Sequence, residues 1–520
     1  PYKLVGPNGE LYILVVSGSE KVYVNGLLLK RGENEDYLID YNSGEIKFNP
    51  TYPITSNMRI SVEYQFTDRN YTRYVGYGGA EYNSEKLDLG VYLYSENDAK
   101  NQPLQQNLSE EQVEILKAAG DDKDMMMAPS AVPDTYSENK ILYKKDTYNG
   151  QEIFVYSNNP EDELFNVRFT SVGSGNGNYI ISDQQAISRI YEFIAPIDGK
   201  KQGEYEPIIR LSAPEKIQVG GVNGSFHPSE KTLVDFEVAV SNYDQNLFSQ
   251  IDNGDNVGFA GRVLAKQRMI TTQDSLHIDG FGSVDFTQSE FKTIERLYNV
   301  EFNRDWNLVD PSGDQRFVIS GVEFSHPKMG RGRYEFQNLN FSENFNGIRH
   351  LVATDLRLNR FRTVINGSLL NSDSDSTASN FTRFNTTTTY SMKKSWVGGK
   401  IDLEDNQISD MVKDSLSPVS HRFSDFEVFY GVGDSTNVFV EAGFNYRVND
   451  SIRNNKLQKV NTSNTYYLKS RLINSETTQL STFVNYREVR YNHILKEGSS
   501  LSMNENIAPK ETERSLNSRL

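Results

Sequence analysis

The chain has 520 residues, room for several domains or one very large barrel, and its net charge of −16 argues against a nucleic-acid surface, where clustered Lys and Arg must neutralise phosphates. Hydrophobic residues make up 37%, the mean hydropathy is −0.59, and no run approaches the roughly eighteen apolar residues of a spanning helix; a helical membrane protein is excluded, a strand barrel is not. Cysteine is absent, and with it disulfides, zinc thiolate sites and Cys nucleophiles.

Residues 1–66 read as a small all-β domain. Apolar runs at Leu11–Val16 and Val22–Val24, the tight-turn pair Asn25-Gly26, and strands Tyr37–Tyr41 and Glu45–Phe48 around Asn42-Ser-Gly44 predict hairpins. In Met58–Phe66, Ile60, Val62, Tyr64 and Phe66 alternate with Arg59, Ser61, Glu63 and Gln65; this strand closes the domain or begins a barrel. Glu33, Glu35, Asp36 and Asp40 match no calcium-loop spacing and read as solvated turns.

Residues 67–96 read as a barrel hairpin, Tyr71–Tyr82 with Leu87–Ser95, joined by the short turn Asn83–Lys86. Residues 97–213 break the rhythm and read as a large folded loop insertion. Ser109-Glu-Glu-Gln112 is a capping box and Gly120 a C′ glycine, which predicts one short helix. Asp121–Pro133, acidic and carrying Met125–Met127, reads as a flexible loop. Short strands are expected at Ile141–Lys144, Ile153–Tyr156, Phe165–Phe169 and Ile190–Ile194. Gly173-Ser-Gly-Asn-Gly177 looks like a phosphate loop, but it lacks the strand-to-helix context and the closing Lys-Ser/Thr, and reads as a turn.

Residues 214–520 read as barrel strands with polar loops. Val234, Phe236, Val238 and Val240 alternate with Asp235, Glu237 and Ala239, and weaker copies lie near 217–226, 257–266, 315–324, 331–341, 381–390, 466–473 and 480–491. Pro228–Lys231, Asp252–Asn256, Asp310–Asp314 and Asn474–Thr477 are turns; 366–380, 402–422 and 449–464 read as polar loops, with Asn371–Ser379 exposed by composition. The clearest stretch is Val438–Val448. Val438, Val440, Ala442, Phe444, Tyr446 and Val448 make one oily face; Phe439, Glu441, Gly443, Asn445 and Arg447 make the other, mostly polar. Its length suits a tilted strand crossing a bilayer, which takes roughly 9–11 residues. A soluble sandwich strand has the same pattern. Repetition, with short turns alternating with long segments, favours an outer-membrane barrel, whose interfacial girdles the 30 Tyr and 28 Phe would populate. The expected fold is therefore all-β: the N-terminal portion of a large antiparallel transmembrane β-barrel, with a small N-terminal β domain and a long folded loop insertion. The start at Pro1 and the polar Arg514–Leu520 suggest a chain incomplete at both ends.

Nothing points to catalysis. His227, His277, His326, His350, His421 and His493 show no pair at ligand spacing, so no metal and no cofactor is expected. No Gly-x-Ser-x-Gly elbow stands in a strand–helix setting. Five Asp-Ser motifs, at Ser275, Ser376, Ser415, Ser435 and Ser451, look like the Asp-Ser/Thr-aliphatic O-glycosylation acceptor of Bacteroidota, although Asp-Ser turns also arise from local hydrogen bonding.

Several stretches carry a resemblance: Gly18–Gly26, Arg31–Tyr41, Arg59–Tyr64, Ile141–Lys145, Gly175–Tyr179, Tyr205-Glu-Pro207 and Ser241–Phe248. Through them the chain resembles a family of large Bacteroidota outer-membrane β-barrel proteins, over residues 1–260 above all. The Asp40-Tyr-Asn-Ser-Gly-Glu-Ile46 hairpin is also similar to units of the giant type 9 secretion translocon of that phylum. The resemblance implies a very large single-chain barrel in the cell outer membrane and transfers no catalytic residue. Two functions stay open. One is a barrel for protein export or assembly at the cell surface, surrounded by outer-membrane lipids and partnered by surface lipoproteins and periplasmic proteins; the 97–213 insertion and the 1–66 unit would then serve as plug and partner platform. The other is a β-sandwich surface protein gripping glycan or protein, with a stand-alone channel as a further variant.

Overall fold

The computed structural model describes the chain except residues 7–12, 34, 50–51, 53, 55–57, 67–70, 105–107, 184–188, 475–478, 493–511 and 520. Leu11, the turn 475–477 and His493 of the sequence reading thus lie outside the described residues.

The protein is all-β, and its bulk is one antiparallel sheet of seventeen long strands. They are β1 (Tyr71–Asn83), β2 (Leu87–Pro103), β3 (Lys216–Ser229), β4 (Thr232–Asp244), β5 (Val257–Thr271), β6 (His277–Thr287), β7 (Gln315–His326), β8 (Gly330–Phe341) and β9 (Phe345–Leu358). Then come β10 (Phe361–Ser374), β11 (Thr377–Ser391), β12 (Ser395–Asp410), β13 (His421–Gly433), β14 (Phe439–Arg453), β15 (Lys456–Asn474), β16 (Gln479–Tyr491) and β17 (Thr512–Arg519). Chain neighbours pair throughout; across the insertion, β2 pairs with β3. The registered run ends at β1 on one side and β17 on the other.

Period-two alternation puts each strand's two faces in different company. In register across β12 to β16 lie Val397, Tyr430, Ala442, Leu468 and Val484. Beside that row run Gly399, Val428, Phe444, Tyr466 and Tyr486. This apolar face is bare: Val428 is 60% exposed, Tyr430 50% and Val432 48%. The rows between, such as Trp396, Gly431, Glu441 and Lys469, form the polar face.

The two rims differ. At one, the described turns have two to five residues: 84–86, 230–231, 272–276, 327–329, 359–360, 392–394 and 434–438. The other carries the N-terminal unit, the insertion, and the longer connections 245–256, 288–314 and 411–420.

Three polar loops of the sequence reading are corrected. Residues 366–380 are the ends of β10 and β11 around a turn at 375–376; of 402–422, residues 402–410 belong to β12 and 421–422 to β13, and 411–420 is the loop; 449–464 lie in β14 and β15 around Asn454-Asn455. Polar side chains pair across these strand ends, which composition alone cannot reveal. The Ser372 and Ser379 hydroxyls lie 2.7 Å apart, and Asn449 donates to Asn461 at 2.7 Å.

In the N-terminal unit, Lys21–Val24 pairs with Leu27–Leu28 through Asn25-Gly26, both at positive φ as a tight hairpin turn requires. Ile60–Glu63 pairs with Lys21–Val24, so it closes the unit. Val22, Val24, Tyr37 and Ile46 form its core. In the insertion, the capping box is present at Ser109 and helix α1 runs Glu110–Ala119. Asp121–Pro133 is not a free loop: Met126 is buried against Leu116, Ala119, Ala128 and Leu211, and Met127–Pro129 pairs with Ile208–Arg210. Gly173–Gly177 is a turn, as read. Two small sheets share a core of Tyr143, Phe154, Phe165 and Tyr179, with Phe169 stacked on Tyr191 at 4.6 Å.

Candidate functional site on the polar face

The segment 288–314 leaves β6, folds over the polar face and returns as β7. Its aromatic residues recur at fourth positions, Tyr298, Phe302 and Trp306, around the single helical turn Phe302–Asp305. Trp306 is fully buried among Phe317, Leu339, Phe345, Leu370 and Phe381, all side chains of the sheet. Room for the indole is left by Gly347, where a Cβ would stand 3.0 Å from the ring.

Charge fixes the segment to the wall. Arg349 of β9, itself buried, donates to Asp305 at 3.1 Å and to the Ser368 hydroxyl at 2.8 Å. Arg383 of β11 reaches the other Asp305 oxygen at 2.7 Å. Arg304 pairs with Glu404 of β12, which also takes His421 of β13 at 2.7 Å. Asn307 and Asn406 exchange two amide hydrogen bonds, each 2.9 Å. Burying charges is costly unless each has a partner, and here Arg349 and Arg383 share Asp305 while Arg304 and His421 share Glu404.

The N-terminal unit meets this segment. Arg59 contacts Glu301 at 3.3 Å, Arg296 contacts Glu63 at 2.5 Å, and Gly26 of the hairpin turn faces the Glu301 side chain. Glu301 also lies 3.8 Å from Arg304, so charged contacts run from Arg59 through Glu301 and Arg304 to Glu404 and His421.

The insertion is anchored at its stem. Arg73 of β1 forks onto Asp98 at 2.7 and 3.1 Å and also contacts Glu96 and Glu215. Asn246, in the β4–β5 connection, donates to the Leu116 and Gly120 carbonyls and so satisfies the C-terminus of α1.

The five Asp-Ser serines are not brought together. Ser275 and Ser435 stand at the short-turn rim, Ser376 and Ser415 at the other, and Ser451 lies within β14. Among the described residues, no group of three or more His, Asp or Glu side chains is arranged to hold a metal ion. Sequence reading missed the 288–314 segment, placing only a turn at Asp310–Asp314. The aromatic spacing at 298, 302 and 306 was the available signal.

The family described as Domain of unknown function (DUF8818) matches residues 1–68, which span the N-terminal unit up to the last residues before β1. No curated protein matches the chain.

Proposed function

We propose that the sheet closes on itself, β17 beside β1, as a β-barrel in the outer membrane of a Bacteroidota bacterium, and that it works in protein export or assembly at the cell surface. The observation that carries this reading is the bare apolar face, continuous over neighbouring strands and uncovered by any second layer among the described residues. A β-sandwich binding protein would bury that face against another sheet; lipid is the solvent that suits it exposed. The strands are longer than a bilayer requires. At 19 residues, β15 extends roughly 60 Å at about 3.3 Å per residue, against a hydrocarbon core of about 30 Å. Apolar rows lie toward the short-turn rim, and the polar strand ends stand beyond them. The polar face is then the lumen and 288–314 its built-in obstruction. A wide, obstructed barrel with large units on one rim suits controlled passage of a large cargo better than diffusion of nutrients.

Val428→Arg tests the face assignment. Val428 is 60% exposed on the apolar face in the middle of β13, and an arginine facing lipid there costs about 2–4 kcal/mol and lowers assembly into membranes. Thr387→Ala, on the polar face of β11 opposite Lys400, changes stability by about 0.5 kcal/mol or less. Equal tolerance of both would refute the barrel. Mild-detergent purification from native membranes, with mass spectrometry of what accompanies the protein, then tests the role. Surface lipoproteins or periplasmic chaperones support export or assembly; a protein extracted alone supports a stand-alone channel; solubility without detergent ends the membrane reading.

A further inference from the structure

The chain is acidic overall, yet the short-turn rim gathers cations where β8, β9 and β10 end. Arg331, Arg357 and Arg362 all lie on the polar face: Arg331 stands opposite Asp355 in register, and Arg357 directly opposite Arg362. Like charges facing each other across strands repel, and one carboxylate serves the group. Arg362 forks onto Asp355 with two bonds of 3.0 Å, Arg357 lies 3.7 Å from it, and Arg331 forms no ion pair among the described residues. The surplus is local. Arg333, two residues along β8, is matched by Glu335 and Glu323.

A cavity of about 540 Å³ opens beside Asp355, lined by Arg331, Arg357, His277, Ser325 and His326. His326 Nδ1 accepts the backbone N–H groups of Lys328 and Met329, both at 3.1 Å, so the ring hydrogen sits on Nε2, which faces the Asp274 carboxylate at 3.8 Å. The walls thus offer two guanidiniums and the hydroxyls of Ser275 and Ser325.

We propose that this Arg331–Arg357–Arg362 cluster is a binding site for a phosphate-bearing ligand. Three guanidiniums against one carboxylate leave two positive charges, and a phosphate monoester brings about −1.5 to −2 near neutral pH. A peptide carboxylate would bring half of that. The guanidinium fork matches tetrahedral oxyanions in two-point contacts, and Asp355 already receives one such contact from Arg362. The phosphate can belong to a lipid headgroup or to a soluble molecule; the cluster does not depend on what surrounds the sheet.

The test uses the full chain in detergent micelles and phosphate-free buffer. Equilibrium dialysis measures inorganic phosphate, and native mass spectrometry compares short-chain phosphatidic acid with phosphatidylcholine of the same chain length. The double variant Arg331→Gln/Arg357→Gln, exposed positions that fold does not rest on, is expected to bind phosphate about tenfold more weakly or worse. Asp355→Asn removes the competing carboxylate and is expected to bind more tightly than the parent. Phosphatidic acid binding about tenfold above inorganic phosphate assigns the site to a headgroup; equal affinities assign it to a soluble phosphate. The proposal is overturned if the parent protein takes up neither probe, if the double variant binds like the parent, or if Asp355→Asn weakens binding.

Discussion

Trp306 shows how much one residue can decide. It is fully buried, it ties 288–314 to five side chains of the sheet, and Arg349 lies over its ring at 5.8 Å. Trp306→Ala is expected to cost about 3–5 kcal/mol by transfer and cavity terms, read as a lower denaturant midpoint and as increased amide exchange of 298–308. Were exchange there unchanged, the segment would be held by its ion pairs alone. Glycines on the polar face act in the opposite sense, by leaving space for a neighbour. A Cβ on Gly431 would stand 2.1 Å from the Trp396 ring, whose Nε1 donates to Glu441 at 2.7 Å. Gly431→Val therefore overpacks the pair and is expected to cost about 1–3 kcal/mol. Gly76→Ala, at a glycine whose Cβ would meet nothing within 4 Å, is expected to leave stability nearly unchanged in the same assay.

At the scale of elements, the sequence was legible where side chains alone set the structure. Ser109, Gln112 and Gly120 announced α1 because capping is local, and the runs at 234–240 and 438–448 announced strands because alternation is local. Strand ends were misread because their stability comes from across the sheet. Ser372 and Ser379 look like loop residues until they face each other in register. In the N-terminal unit, Tyr37 joins the core while its hydroxyl meets Glu20 at 3.3 Å. Burial first, then the charge of Glu20 and its hydrogen bond, push the phenol up to about 12 from its ordinary 10. The folded unit therefore holds this proton where the unfolded chain has released it. The resulting stability is complete below pH 10 and is lost as pH rises through about 12. Tyr37→Phe is expected to flatten the pH dependence of unfolding in that window and to remove one late-ionising tyrosine from the absorbance titration. A titration unchanged by the substitution would place Tyr37 in water. Tyr143 and Tyr179 of the insertion, each buried and pushed up to about 12, contribute to the late signal that remains.

At the scale of the whole molecule, the polar-face site escaped the sequence because its partners are distant in the chain. Arg349 lies 44 residues from Asp305, Glu404 lies 100 from Arg304, and Arg59 lies 242 from Glu301. These contacts divide into two strengths. Arg59–Glu301 and Arg296–Glu63 each have one side chain about 41% exposed, and such pairs contribute about 0–1 kcal/mol. Arg349–Asp305 is buried on both sides, and removing one partner of such a pair costs about 3–5 kcal/mol, because the other charge is left unmatched. The N-terminal unit is thus held lightly, on a segment that is itself held firmly to the wall. If the polar face lines a lumen, the two joints have separable effects in planar bilayers. Glu301→Lys reverses the charge between Arg59 and Arg304 and is expected to free the N-terminal unit, speeding proteolysis before β1 while changing conductance little. Arg349→Ala with Trp306→Ala is expected to release 288–314 and raise single-channel conductance severalfold. Conductance that rises with Glu301→Lys alone would make the N-terminal unit the barrier. Conductance unmoved by the Arg349 and Trp306 pair would show that 288–314 does not obstruct the path.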